Sequence, residues 1–122
     1  MASEGRLSFT LAVTKGGYSD TRTVTTTYDV SAVPIASGVT PVTTTAAALD
    51  LSDVATLGVA LFKNLDLTNY CELGVYVSST FYPFAKLKAG ESYPVRLAMA
   101  NTALYARANT ATVNLEYRVY SE

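Results

Sequence analysis

Leu7, Phe9, Leu11 and Val13 alternate with Ser8, Thr10, Ala12 and Thr14, so one side of this segment is apolar and the other small or polar. A period of two marks a strand with one face turned to a core. Lys15-Gly16-Gly17 predicts a turn, since adjacent glycines accept positive φ. From Thr21 to Val30 the alternation resumes, with Arg22, Val24, Thr26, Tyr28 and Val30 on one face and Thr21, Thr23, Thr25, Thr27 and Asp29 on the other. The two segments predict a first hairpin. Pro34, Gly38 and Pro41 then predict turns or an edge strand, because proline cannot donate to a ladder. Val42 to Ala48 reads as a strand, and Leu49 to Val54 as a loop or one helical turn that Ser52 would cap.

The second half alternates more regularly. Val59 to Asn64 predicts a strand, followed by a turn over Leu65-Asp66-Leu67-Thr68-Asn69. Tyr70 to Val77 places Cys71, Leu73, Val75 and Val77 on one face, and Ser78-Ser79 turns the chain. Thr80 to Leu87 follows, where the internal Pro83 points to an edge or bulged strand. Lys88-Ala89-Gly90-Glu91 is a turn, after which Tyr93, Val95 and Leu97 alternate with Pro94 and Arg96. Leu104 to Ala108 is a further strand between the turns at Asn101-Thr102 and Asn109-Thr110. The last strand turns Val113, Leu115, Tyr117 and Val119 one way, and Thr112, Asn114, Glu116, Arg118 and Tyr120 the other. About eight strands at this spacing, with no long helical period, predict an all-β fold: an antiparallel β-sandwich, jelly-roll-like, with an up-and-down or Greek-key barrel as the alternative. Residues 1–122 read as a single domain, in which 1–17 form a possible strand-donating N-terminal arm.

Composition narrows the chemistry. Hydrophobic residues make up 49% of the 122 and charged residues 16%, which excludes a disordered polyelectrolyte. A net charge of -1 gives no electrostatic footprint for nucleic acid or an anionic membrane. The start of the chain, with Glu4 and Arg6 before an alternating segment, lacks the continuous apolar run of a secretory signal. The expectation is therefore a protein that stays where it is made or assembled. There is no His, so Ser-His-Asp and Cys-His sites are impossible, and no Ser-x-x-Lys arrangement replaces them. The single Cys71 forms no internal disulfide and reads as a small core residue. Neither Asp50 with Asp53 nor Asp66 with Glu72 matches a calcium loop, and the glycines match no nucleotide fingerprint. No catalytic residue, cofactor, metal or small-molecule substrate is expected.

What remains is surface. Nine Tyr and no Trp form a Tyr-biased set. Tyr93 and Tyr117 fall on apolar faces, whereas Tyr76, Tyr82, Tyr105 and Tyr120 fall on the other face. Tyr is favoured at contacts because it buries area while its hydroxyl stays wet. Arg96, Arg107 and Arg118 are interleaved among these strands, where the near-neutral balance favours a solvated or ion-paired face over a nucleic-acid groove. Leu7, Phe9, Tyr18, Tyr82, Arg96 and Tyr105 are the candidate interface residues.

Several strings carry a resemblance. They are Leu61-Phe62-Lys63-Asn64-Leu65-Asp66, Thr68-Asn69-Tyr70-Cys71-Glu72, Gly74-Val75, Thr80-Phe81-Tyr82-Pro83-Phe84 and Leu87-Lys88-Ala89-Gly90-Glu91. They continue as Arg96-Leu97-Ala98, Leu104-Tyr105-Ala106-Arg107-Ala108 and Leu115-Glu116-Tyr117. The segment from about Leu57 to Tyr120 resembles small β-rich virion proteins of tailed bacteriophages. The resemblance implies a structural component made in the bacterial cytoplasm. Foremost it implies a capsid decoration (cement) protein on the capsid exterior, often a homotrimer, whose partners are copies of itself and the major capsid protein. A tail, neck or fibre-associated virion protein and a carbohydrate-binding attachment module are the alternatives.

Overall fold

In the computed structural model, which describes residues 4–31 and 35–122, the chain is all-β. Every strand pairing among the described residues is antiparallel, and none of these residues is helical. The strands are β1 (Gly5–Lys15), β2 (Tyr18–Tyr28), β3 (Ala36–Val42), β4 (Ala47–Ala48), β5 (Leu57–Asn64), β6 (Cys71–Val77), β7 (Thr80–Leu87), β8 (Ser92–Arg96), β9 (Tyr105–Ala108) and β10 (Val113–Ser121). The chain divides into two compact units, Met1–Ser31 and Ala32–Glu122, where the sequence reads as one. No glycine, serine or charge-rich linker marks that boundary, so composition gives no sign of it.

The first unit is the β1–β2 hairpin. Its register runs without interruption from Gly5↔Tyr28 to Lys15↔Tyr18. Gly16 carries the positive φ, 58°, that a two-residue turn of type II′ requires at its first position.

The second unit contains two four-stranded sheets, in the orders β3-β10-β5-β8 and β4-β9-β6-β7. Period two explains their buried faces, apart from Leu57, which lies beyond a register shift in the β5–β10 ladder. Leu57, Ala60, Phe62 and Asn64 of β5 are buried, as are Val113, Leu115 and Val119 of β10. Cys71 and Leu73 of β6, Leu87 of β7, and Ala106 and Ala108 of β9 supply the other sheet's share. All of these apolar side chains belong to one cluster, closed by Leu49, Leu51, Val54, Leu97 and Leu104 from the connections. Tyr93 and Tyr117 pack against it, as their alternation predicts. The register sets both of them opposite Phe62, making an aromatic row across the sheet.

The prolines explain the sheet edges. β3 holds Pro41 and β7 holds Pro83, and each is an outer strand of its sheet. Thus Gly38 and Pro41 sit in an edge strand; Pro34 lies outside the described residues. The predicted strand from Val42 to Ala48 is corrected. β3 ends at Val42, Thr43 accepts from the Thr45 backbone N–H through its hydroxyl, and only Ala47–Ala48 pairs with β9. Nor does a helical turn follow. Leu51 to Val54 close a simple turn, and Ser52 caps nothing: its hydroxyl and N–H both donate to Asp50 Oδ1, at 2.8 and 3.3 Å. Those bonds hold the Asp50 carboxyl below the usual carboxylate range.

The β6–β7 hairpin is closed by Ser78 and Ser79, both with positive φ, 51° and 66°. A type I′ turn needs this, and it suits Asn-Gly far better than a pair of serines, whose Cβ atoms crowd the backbone. The double change Ser78→Asn with Ser79→Gly should stabilise the protein by roughly 1–2 kcal/mol. A thermal melt checks it, with the midpoint rising by about 3–8 °C.

Candidate self-association surfaces

The hairpin register sorts β1 and β2 into two unlike faces. Leu7, Phe9, Leu11 and Val13 stand on one face, with Thr26, Val24, Arg22 and Asp20 opposite them in that order. Tyr18 joins this face opposite Lys15. At the base the Tyr28 ring lies across Gly5, where a Cβ would overlap the ring carbons, so only glycine admits this approach. Glu4 Oε1 accepts from the Val30 N–H at 3.1 Å beside it. The second face is a ladder of hydroxyls. Ser8 Oγ and Thr25 Oγ1 are 3.1 Å apart, and so are the Thr10 and Thr23 hydroxyls.

Of the candidate interface residues, Leu7, Phe9 and Tyr18 therefore come together. Leu7 is half-buried, but Phe9, Leu11, Val13 and Tyr18 are 43%, 58%, 44% and 61% exposed. Alternation in β1 already placed Leu11 and Val13 on this row; Val24 and Tyr28 join it through pairing register, which the sequence does not display.

Tyr82 and Tyr105 belong to one sheet but to opposite faces. Tyr105 pairs with Gly74, whereas Tyr82 pairs with the next residue, Val75. Their expected placement on a common face is corrected by a bulge. Leu73 opposes Ala85 and Gly74 opposes Pro83, so Phe84 is an extra residue that reverses the alternation of β7 beyond it. The reversal turns Phe81 outward, where its ring lies over Gly74; a Cβ there would come within 2.8 Å of Phe81 Cζ. It leaves Tyr82 with Val77 near the hairpin tip, each 54% exposed.

The outer face of this sheet is aromatic. Tyr76 stacks on Tyr105 with centroids 5.1 Å apart and planes at 12°. The Arg107 guanidinium sits 4.6 Å from the Phe81 centroid and donates to Glu72 Oε1 at 2.9 Å. Lys86 Nζ covers the Tyr70 ring at 4.4 Å. Arg96 stands apart from all of these at the end of β8, 3.5 Å from Glu122, with both side chains about half exposed.

No group of three or more Cys, Asp or Glu suited to a metal ion occurs among the described residues. Cys71 is completely buried, and that burial first, with the adjacent Glu72 charge second, pushes its thiol up to about 11. The folded chain thus keeps its thiol proton at pH values where the unfolded chain loses it. Bound protons then favour the folded state, so stability falls as pH rises from about 9 towards 11, by up to about 1.4 kcal/mol per pH unit. Denaturant titrations of the wild type and Cys71→Ala at pH 8 and pH 10.5 check this, because the alanine variant lacks the loss. Comparison of the chain with family models, curated proteins and solved structures finds no match.

Proposed function

We propose that this chain is a structural protein of a tailed-phage virion, a decoration protein laid on the outside of the capsid. On this reading the two four-stranded sheets pack as a jelly-roll-like sandwich, and the hairpin is the attaching element. One observation carries it. A hairpin of two 11-residue strands folds as a unit of its own while Phe9, Leu11 and Val13 stay uncovered. A two-stranded hairpin is marginal in water by itself, and an exposed apolar row marks a contact waiting for its partner. The resemblance of the Leu57 to Tyr120 segment to phage virion proteins supplies the partner's class, the major capsid protein.

The mechanism needs no reaction. A protein that binds only the assembled lattice stabilises that lattice by its binding free energy, and many weak copies sum. The test is co-sedimentation with capsids that lack the protein, followed by heating of the loaded particles. The expected outcome is saturable binding and release of packaged DNA at a higher temperature. Binding to tails instead of heads would move the reading to the tail, and indifference to both would end it.

A further inference from the structure

We propose that the outer edge of β1 pairs with β1 of a second copy, antiparallel about a two-fold axis at Thr10, to make the continuous four-stranded sheet β2-β1-β1-β2. The two-residue turn closes on Lys15 and Tyr18 as a hydrogen-bonded pair. Bonded and non-bonded pairs alternate along an antiparallel ladder. The odd-numbered residues of β1 therefore bond to β2. The even-numbered ones, Arg6, Ser8, Thr10, Ala12 and Thr14, present their N–H and C=O groups at the free edge. The 3.1 Å approach of the Ser8 and Thr25 hydroxyls, and of the Thr10 and Thr23 hydroxyls, fits this phase, since side chains stand closest across non-bonded pairs.

That phase makes β1 complementary to itself. Pairing about Thr10 overlaps the whole strand from Gly5 to Lys15 and joins even residue to even residue: Thr10 to Thr10, Ser8 to Ala12, Arg6 to Thr14. These are the residues whose backbone groups are free, and the pairs exchange about ten main-chain hydrogen bonds. The same register sets Phe9 against Leu11 and Leu7 against Val13, so the two apolar rows become one. The only charges, Arg6 and Lys15, meet Thr14 and Gly5 and never each other.

An edge of this kind is normally blunted. β7 and β3 carry proline, and β8 has Pro94. β1 has no proline, no register shift and no charge between Arg6 and Lys15. β2, its partner, sets Asp20 and Arg22 into the apolar face, where a copy of itself would lay them against Thr26 and Val24. The second copy thus fits the β1 edge and not the β2 edge. A four-stranded sheet also passes the size at which a sheet becomes stable by itself, which the lone hairpin does not.

The pairing stands without the capsid reading, because the purified full-length chain tests it. Sedimentation equilibrium should give a dimer. Thr10→Pro removes an N–H that faces the free edge and none that bonds to β2, so it should weaken the dimer roughly a hundredfold. A second measurement holds if that variant disturbs the hairpin. Thr10→Cys should be linked across the two-fold by a short bismaleimide, whereas Thr23→Cys, on the same face of β2, should not; the buried Cys71 stays silent. A monomeric or trimeric mass, an open-ended polymer, or equal cross-linking of the two cysteine variants overturns the proposal.

Discussion

Asn64→Leu should lower the stability of the protein by about 3–4 kcal/mol, and the midpoint of thermal unfolding by about 10–20 °C. Asn64 is completely buried at the end of β5, yet every polar atom of its side chain is used. Nδ2 donates to Asn69 O at 2.9 Å and to Leu87 O at 3.0 Å, and Oδ1 accepts from the Asp66 N–H at 2.8 Å. Its backbone does the same work, donating to Glu91 O and accepting from the Gly90 N–H. The side-chain amide thus fastens the connection after β5 and the end of β7 in the other sheet, while the backbone of the same residue holds the turn before β8. Leucine copies its branching, though with bulkier methyl groups, and strands two carbonyls and an N–H in a dry site, which costs more than the bonds themselves contribute. Asn64→Asp is harsher at neutral pH, because a carboxylate would face two carbonyl oxygens. Its pKa would rise in the folded state, so this variant alone should regain stability as the pH falls and the carboxyl becomes a donor. Chemical denaturation of both variants at pH 7 and pH 4 checks the sign. A loss below about 1 kcal/mol for Asn64→Leu would mean that the amide fastens nothing.

The same residues show what a sequence can disclose. The strings behind the expected phage likeness include Asn64-Leu65-Asp66, Thr68-Asn69 and Gly90-Glu91. In the structure these residues hold turns together. Asp66 Oδ2 accepts from the Thr68 and Asn69 N–H groups at 3.0 and 2.6 Å, which keeps its carboxyl below the usual range. Glu91 Oε1 accepts from the Lys88 N–H at 2.8 Å. These positions thus serve folding, and a binding surface is better sought in the hairpin.

Strands with one buried face were legible because burial acts on every second residue. β5 from Val59 onward and β10 follow their alternation. β3 was obscured by Gly38 and Pro41, which an edge strand tolerates and an inner one does not. Pro83 announced an edge or bulged β7, and β7 is both, but the position of the extra residue, Phe84, was not legible. An extra residue has no composition of its own, and it put Tyr82 on the face opposite to the one its alternation predicts. The ion pair of Arg96 with Glu122 joins positions far apart in the chain, and no local pattern announces it. For the hairpin, alternation showed which side chains of each strand share a face, but neither how the two strands register nor that the face would stay open, since burial depends on what else the chain brings to it.

Deleting Met1–Ser31 should abolish self-association and capsid binding while moving the unfolding midpoint of the remaining chain by no more than a few degrees. Among the described residues, every side chain of the buried cluster lies between Ala36 and Val119, so the deletion removes none of these. The hairpin in turn contributes no fully buried residue among those described. A core that is complete without a segment does not depend on it for stability, whereas an open edge and an open apolar row have no use except to a partner. The narrower change Leu11→Lys makes the same point without truncation. Leu11 is 58% exposed, so lysine should alter the stability of the single chain by less than about 0.5 kcal/mol. In the paired sheet it would set a charge beside Phe9 of the second copy, and association should weaken at least tenfold. Sedimentation and thermal melts of the three proteins, with capsid binding measured alongside, separate the two roles. If the truncated chain unfolds, the hairpin's apolar row is part of this chain's own core, and the surface proposed for its partners is already occupied.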